Sequence, residues 1–160
     1  MPLPLLDAFV DGNTERAREL ADYSVPEDFP GDAAEVIELR RIQLAADPSR
    51  LPWSVRAMVR RDDRVMIGFV NFHGPPGVND VAADEAAELG WTVFPEHRRK
   101  GYATETALRL MDWAREEHGV RHFISSTTPE NTPSLRVHEK LGFRRTGQVV
   151  DGEIIFELAP

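Results

Sequence analysis

The sequence predicts a single α/β (α+β) domain over residues 1–160, built around a mixed sheet, and three observations carry that expectation. Two apolar runs, 53–60 and 65–72, are separated by the polar turn Arg61-Asp62-Asp63-Arg64, which reads as an antiparallel hairpin. A long helical pattern at 100–118 lies between two strand-like runs, and a helical crossover of that length sets its flanking strands parallel. Asp151-Gly152 then joins two further apolar runs as a tight terminal hairpin. Parallel and antiparallel pairing in one chain means a mixed sheet with helices packed against it.

Taken in order, the first fifty residues read as a helical portion without a catalytic pattern. Pro2 and Pro4 flank a short apolar run, Leu5 to Val10, and Asp11-Gly12-Asn13-Thr14 punctuates it. Residues 15–23 read as a helix capped by Asn13 or Thr14, and residues 32–45 as a second, with Val36, Leu39, Ile42 and Leu44 as its apolar positions. From Trp53 the pattern alternates, with Trp53, Val55, Ala57 and Val59 on one face. After a loop from His73 to about Ala83, residues 85–94 form a third strand. The helix 100–118 carries a stripe of Ala103, Ala107, Leu110, Met111 and Ala114, and Gly119 closes it. Residues 122–126 form a short strand, 134–141 a short helix stopped by Gly142, and 143–150 and 153–158 the last hairpin.

Bulk properties narrow the function. A length of 160 residues supports a sizeable core. A net charge of −8 argues against general nucleic-acid binding, which needs a basic footprint. No apolar run approaches the ~20 residues of a membrane span, and no secretory leader pattern opens the chain. Zero cysteines remove thiolate chemistry and fit a cytoplasmic location. His73, His97, His118 and His122 show no metal-ligand spacing, so no metal is expected. Ser125-Ser126-Thr127-Thr128 has no adjacent His/Asp arrangement that would make a serine hydrolase.

Local charge is more informative. Arg98, Arg99 and Lys100 cluster in an acidic chain, between a strand ending at Val93 and the start of the longest helix. Helix N-termini disfavour cations, so three of them at one such end call for an anion between them and the open backbone N–H groups. Gly101 permits close approach to that backbone, and Ala103 keeps the next turn small. The loop lacks the flanking glycines and Lys-Ser/Thr pair of a Walker loop and the glycine count of a dinucleotide fingerprint.

Arg98-x-x-Gly101-x-Ala103 at this place resembles the acetyl-CoA pyrophosphate loop of the GNAT acetyltransferase superfamily. A second segment, Asn131-Thr132-Pro133-Ser134 through Glu139-Lys140-Leu141-Gly142-Phe143, is similar to the family's pantetheine-binding region. The pairing of Asn-x-x-Ser with Glu-Lys-Leu-Gly-Phe resembles the branch of ribosomal-protein N-terminal acetyltransferases. The likeness covers 53–158, which it implies to be the cofactor-binding core. It implies a mostly antiparallel sheet of about six or seven strands with one splayed parallel pair. It also implies acetyl-CoA as co-substrate, and a primary amine, such as a protein N-terminus, as acceptor. Backbone of Trp91, Thr92 and Val93 would pair with pantetheine. Arg98 and the amides of Arg99, Lys100, Gly101, Tyr102, Ala103 and Thr104 would hold the pyrophosphate. Asn131 and Ser134 would contact the pantetheine arm.

Catalytic candidates follow. Glu88 shares a strand face with Gly90 and Thr92, opposite Leu89, Trp91 and Val93, and a carboxylate inside a covered strand suits a general base. A bulge at Gly90 would change the face it points to. His138 stands where the family often has a tyrosine acid. It is a candidate acid or, equally, a histidine on the open face of a short helix; Ser134 is the fallback donor. Asn131 and Ser134 are also good helix caps. The family's opening strand has only residues 1–5 to supply it, and the prolines there oppose a strand. Two other readings stay open: an acetyltransferase of small amines or antibiotics, and a catalytically silent acyl-CoA-binding module. A monomer and a homodimer are both compatible with the sequence.

Overall fold

A computed structural model describes all residues, 1–160, with five α-helices and six strands in the order α1 (Leu3–Val10), α2 (Thr14–Leu20), α3 (Ala34–Ala46), β1 (Arg56–Val59), β2 (Met66–Phe72), β3 (Ala86–Val93), α4 (Tyr102–His118), β4 (His122–Thr127), α5 (Thr132–Leu141), β5 (Arg144–Val150) and β6 (Glu153–Leu158). The strands form one sheet in the order β1-β2-β3-β4-β6-β5. β3 and β4 run parallel, while β4–β6 and β5–β6 run antiparallel. This is the mixed α+β architecture the sequence predicts. The chain divides into two compact units, Met1–Phe69 and Val70–Pro160.

In the first unit the segment left to supply the family's opening strand is helical, as the prolines that oppose a strand allow. Pro2 is the N-cap of α1 and Pro4 lies in its first turn. A proline there loses no hydrogen bond and presets the backbone angle a helix needs, so the residues that oppose a strand favour a helix start. Leu5, Leu6, Ala8 and Phe9 are buried. Phe9 packs edge-on to Phe29 at 4.7 Å between ring centres, and Phe29 in turn meets Phe69 at 6.4 Å. The Met1 ammonium donates to Val55 O at 2.5 Å, and burial lowers its pKa from 8.0 to about 6.

Helix α3 buries a different face from the one the sequence suggests. Its covered stripe is Ile37, Arg40 and Leu44, while Leu39 and Ile42 are about half exposed. The hairpin strand also starts later than expected. Pro48–Trp53 form a 3₁₀ turn, and within β1 the buried residue is Met58. Pro52 has no N–H to donate to a ladder, which confines the strand to the residues after it.

The second unit follows the predicted pattern closely. α4 buries Ala107, Leu110, Met111 and Ala114 and ends at Gly119, whose φ of 68° lets Val120 N bond back to Ala114 O. Asp151 and Gly152 both take positive φ, 49° and 85°, as a two-residue hairpin turn requires. Face alternation sets Leu89, Trp91 and Val93 opposite Glu88 and Gly90. Phe72, wholly buried, is flanked by Phe123 at 6.5 Å and Trp113 at 6.2 Å, and Arg115 covers the outer side of Phe123 at 4.9 Å. No helix is long and apolar enough to cross a membrane.

Phe123→Ala removes a fully buried ring from this cluster and is expected to cost about 3–5 kcal/mol, read from the urea unfolding midpoint.

Candidate functional site

The site begins where β3 and β4 part. Their parallel register runs Ala86↔His122, Ala87↔Phe123 and Glu88↔Ile124, and beyond it β3 continues to Val93 without a β4 partner in register. β4 stays held on its other side, since Ser125, Ser126 and Thr127 pair with Phe156, Ile155 and Ile154 of β6. The result is a strand edge, Trp91-Thr92-Val93, that opens toward solvent progressively: the strand is buried from Ala86 to Leu89 and half-buried from Gly90 on. An amide-bearing chain can add to such an edge as a strand would.

At the end of that edge lies the basic loop. Arg99 has φ of 62° and Gly101 φ of 87°, so the loop turns twice through left-handed backbone before the helix begins. Gly101 caps α4 without any side-chain hydrogen bond, and the first helical bond is Glu105 N to Gly101 O. The N–H groups of Tyr102, Ala103 and Thr104 therefore precede the helical ladder. A Cβ on Gly101 would meet nothing within 4 Å, so its left-handed angle is what glycine serves there. The three cations are not equivalent. Arg98 Nε donates to Val93 O at 2.9 Å, tying the loop to the strand end, while Arg99 and Lys100 point into solvent. Beside this loop an open groove of mixed charge is lined by Gly101, Thr104, Glu105, Leu108, Arg109, Asp112 and Lys140.

Helix α5 brings the second motif to the same face of the sheet as Trp91. Asn131 Oδ1 accepts from Ser134 N at 3.2 Å, which is helix capping and leaves its amide N–H groups to the outside. His138 is fully buried instead of lying on an open helix face. It stacks on Phe156 at 4.1 Å and lies 4.9 Å from Trp91 and 5.6 Å from Phe143. Its Nδ1 is 2.8 Å from Ser134 O, a pure acceptor, so Nδ1 carries the proton and Nε2 accepts from Ser125 Oγ at 3.0 Å. Burial lowers the His138 pKa to about 4, partly offset by the Ser134 carbonyl, and the ring is neutral at pH 7. The Ser125–His138 pair spans thirteen residues and two elements, and no local spacing announces it.

Glu88 lies on the opposite face, fully buried. The loop from His73 to Glu85 folds over it. Glu88 Oε2 accepts from Asp80 N at 2.8 Å and stands 3.4 Å from His73 Nδ1. Donor atoms of His73, Asp80 and Glu88 lie within 4.8 Å of one another. These three are the groups that could ligate a divalent cation, a grouping that the spacing of the histidines does not disclose. The Asp80 carboxyl is raised above the usual range, by burial first and then by the charge of Glu88. His73 and Asp80 were not among the sequence candidates, because they reach Glu88 through a loop closure and not through a motif.

A parallel pair that parts, a helix start with open N–H groups and a buried carboxylate on the other face stand where the sequence resemblance led one to expect them. The comparisons agree: a model described as an acetyltransferase (GNAT) domain matches residues 6–144, and the chain belongs to that family. The uncharacterized N-acetyltransferase YjdG of Bacillus subtilis (strain 168) is 30% identical over 142 residues, 88% of this chain and 81% of that protein. YnaD of the same organism, also an uncharacterized N-acetyltransferase, is 33% identical over 90 residues, 56% of this chain; the match spans 49% of YnaD's own length. Among solved structures, a putative GNAT-family acetyltransferase from Bordetella pertussis superposes with a TM-score of 0.65 at 22% identity, over 99% of this chain and 93% of that one, which supports the fold.

The lowered pKa of His138 gives a pH test of stability. Between pH 6.5 and about 4 an unfolded chain binds a proton that the folded site refuses. The stability this site has above pH 6.5 is therefore lost as pH falls through that window, by roughly 2–3 kcal/mol. Urea midpoints across pH 4–7 should show this slope, and Ser125→Ala/His138→Phe, which removes the titrating ring and its partner together, should flatten it.

Proposed function

We propose that this protein transfers the acetyl group of acetyl-CoA directly to a primary amine. The observation that carries the reading is the register break after Glu88. It opens a strand edge on one side of which a donor loop can take a pyrophosphate, while the carboxylate at the break faces the other side. Pantetheine would add along Trp91, Thr92 and Val93, with the Asn131 amide and Ser134 beside it. The pyrophosphate would sit against the N–H groups of Arg99 to Thr104, with Arg98 holding that loop to β3.

In the reaction the Glu88 carboxylate takes a proton from the acceptor ammonium, directly or through water, and the freed amine attacks the thioester carbonyl. Backbone N–H groups of β3 stabilise the oxyanion. Collapse breaks the C–S bond and the thiolate takes up a proton. We assign its delivery to the Ser134 hydroxyl, which gives its own proton to the sulfur as it takes up the second proton of the attacking nitrogen, so that amide, thiol and hydroxyl are all neutral at the end. His138, the alternative, is neutral, and its only ring proton is engaged with a backbone carbonyl. His138 then serves by fixing Trp91, Ser125 and the first turn of α5 around one buried ring. Orientation of two bound reactants supplies much of the rate, so a modest acid suffices.

For the acceptor, the likeness of Asn131-x-x-Ser134 and Glu139–Phe143 to ribosomal-protein acetyltransferases favours a protein N-terminus. One observation favours a small polyamine instead. Asp151 and Glu153 of the last hairpin act electrostatically on Asp80, so carboxylates from three elements gather on the Glu88 side. Thiol release measured with N-terminal peptides and with polyamines separates the two; tight acetyl-CoA binding without turnover on any amine would replace both with a silent binding module.

Two substitutions test the chemistry. Glu88→Gln is expected to lower kcat/KM about 100-fold or more and to abolish the acidic limb of its pH profile. Gly101→Val, forcing a β-branched residue to positive φ, is expected to raise KM for acetyl-CoA about tenfold with kcat little changed.

A further inference from the structure

We infer that His73, Asp80 and Glu88 form a site for one divalent cation of the zinc class, held by an imidazole nitrogen and two carboxylates on the Glu88 face of the sheet. The site stands on its own geometry. Its consequence, loss of acetyl transfer while the cation is bound, rests on the reading of Glu88 as base.

The three donors come from separate pieces of chain: Glu88 from β3, His73 from the residue after β2, and Asp80 from the loop between them. Their ligand atoms all lie within 4.8 Å of one another, and His73 Nδ1 stands 3.4 Å from Glu88 Oε2. Two ligands bound at about 2.1 Å to a tetrahedral ion are about 3.4 Å apart, so these two atoms already have the spacing such an ion requires. Asp80 completes the set by drawing in from at most 4.8 Å to that same separation, and it is an exposed loop residue.

The donor set selects the ion. Calcium and magnesium take oxygen ligands, whereas an imidazole nitrogen suits zinc, cobalt or nickel. Two carboxylates and an imidazole, which ligates as the neutral ring, bring two negative charges that one divalent cation cancels. Asp151 and Glu153 of the last hairpin act electrostatically on Asp80, so the surrounding field draws cations in. Three protein ligands leave a fourth position for water.

Neighbouring groups orient the ligands, as they do at metal centres generally. Asp80 N donates to Glu88 Oε2 at 2.8 Å, which fixes the carboxylate and leaves that oxygen a second lone pair for an ion. His73 N donates to Glu88 O at 2.8 Å, so the backbones of these two ligands are tied as well. Asn79 braces the loop beside Asp80: its Oδ1 accepts from Val81 N and Ala83 N, and its Nδ2 donates to Ala83 O and Ala86 O. Glu88 is wholly buried, while 29% of the His73 side chain is exposed, so a cation enters past His73 and Asp80. Once bound, it occupies the carboxylate that the proposed reaction uses to take the ammonium proton.

Calorimetric titration of the full chain with zinc chloride tests the site. One equivalent is expected to bind with a Kd of about 10 μM or tighter. His73→Gln and Glu88→Gln should each weaken binding at least about tenfold with wild-type circular dichroism retained; if either loses it, Asp80→Ala on the exposed loop carries the comparison. His122→Gln, which removes the ring beside Glu157, should leave binding unchanged. Cobalt(II) in place of zinc should give the visible absorption of a tetrahedral ion in the wild type and lose it in the His73 and Glu88 variants. No binding in this range, or binding that survives both substitutions, overturns the site. Saturating zinc should suppress acetyl transfer to whichever amine the wild type acetylates, and a chelator should restore it. Acetylated product is the quantity to measure, because zinc also binds the released thiol. Zinc bound at the site without inhibition removes Glu88 as base and leaves the site standing. A wild type that binds no zinc, beside a Glu88→Gln variant that has lost activity, overturns the site and leaves the base.

Discussion

The constraint on which the site depends is the loss of parallel pairing between β3 and β4 after three residues. Sheets resist such a break, because every backbone group left without a partner costs free energy unless water or a ligand takes it. Here β4 keeps its antiparallel bonds to β6 through Thr127, so the gap opens wholly on the β3 side. The half-buried stretch from Gly90 to Val93 is thus a strand edge inside the sheet, where it can meet an amide-rich partner without inviting aggregation. Arg98 then returns to the last carbonyl of that edge and sets the loop that follows at a fixed distance from it.

On the two sides of this break the protein handles buried polar groups in different ways. His138 is buried, but each ring nitrogen has one partner of the right kind, and aromatic rings surround the remainder. Such a group specifies one packing of α5 on β3, β4 and β6, since any slip leaves a buried nitrogen unsatisfied. Glu88 is buried under a loop that brings a backbone donor, a titratable ring and a second carboxylate to it. The first environment keeps the ring neutral, by burial, and the second sets a buried carboxylate beside polar and charged groups of one loop.

Much of this was legible in the residues. Strand alternation alone set Glu88 opposite Trp91, and Gly101 and Gly119 marked both ends of α4. The basic triplet before Gly101 identified the loop, because cations at a helix start are unfavourable without an anion to balance them. Other features were not legible. Pro2 and Pro4 speak against a strand, yet only packing of Leu5, Leu6 and Phe9 makes a helix of that run. Val36, Leu39, Ile42 and Leu44 suggested one face of α3, and the structure buries Leu44 together with Ile37 and Arg40, a choice set by which neighbours are within reach.

The sequence by itself determined the mixed sheet and the order of elements from the first hairpin onward, because periodicity and turn glycines act over a few residues and survive without knowledge of the rest, and its two spaced motifs carried the likeness to the family. Tertiary structure decided what touches what. It cut the parallel register at Glu88, turned His138 into a neutral buried ring and folded His73 and Asp80 onto the Glu88 carboxylate. Burial and electrostatic coupling depend on distance through space, and residues 73, 80 and 88 share no helical or strand period that would have joined them beforehand.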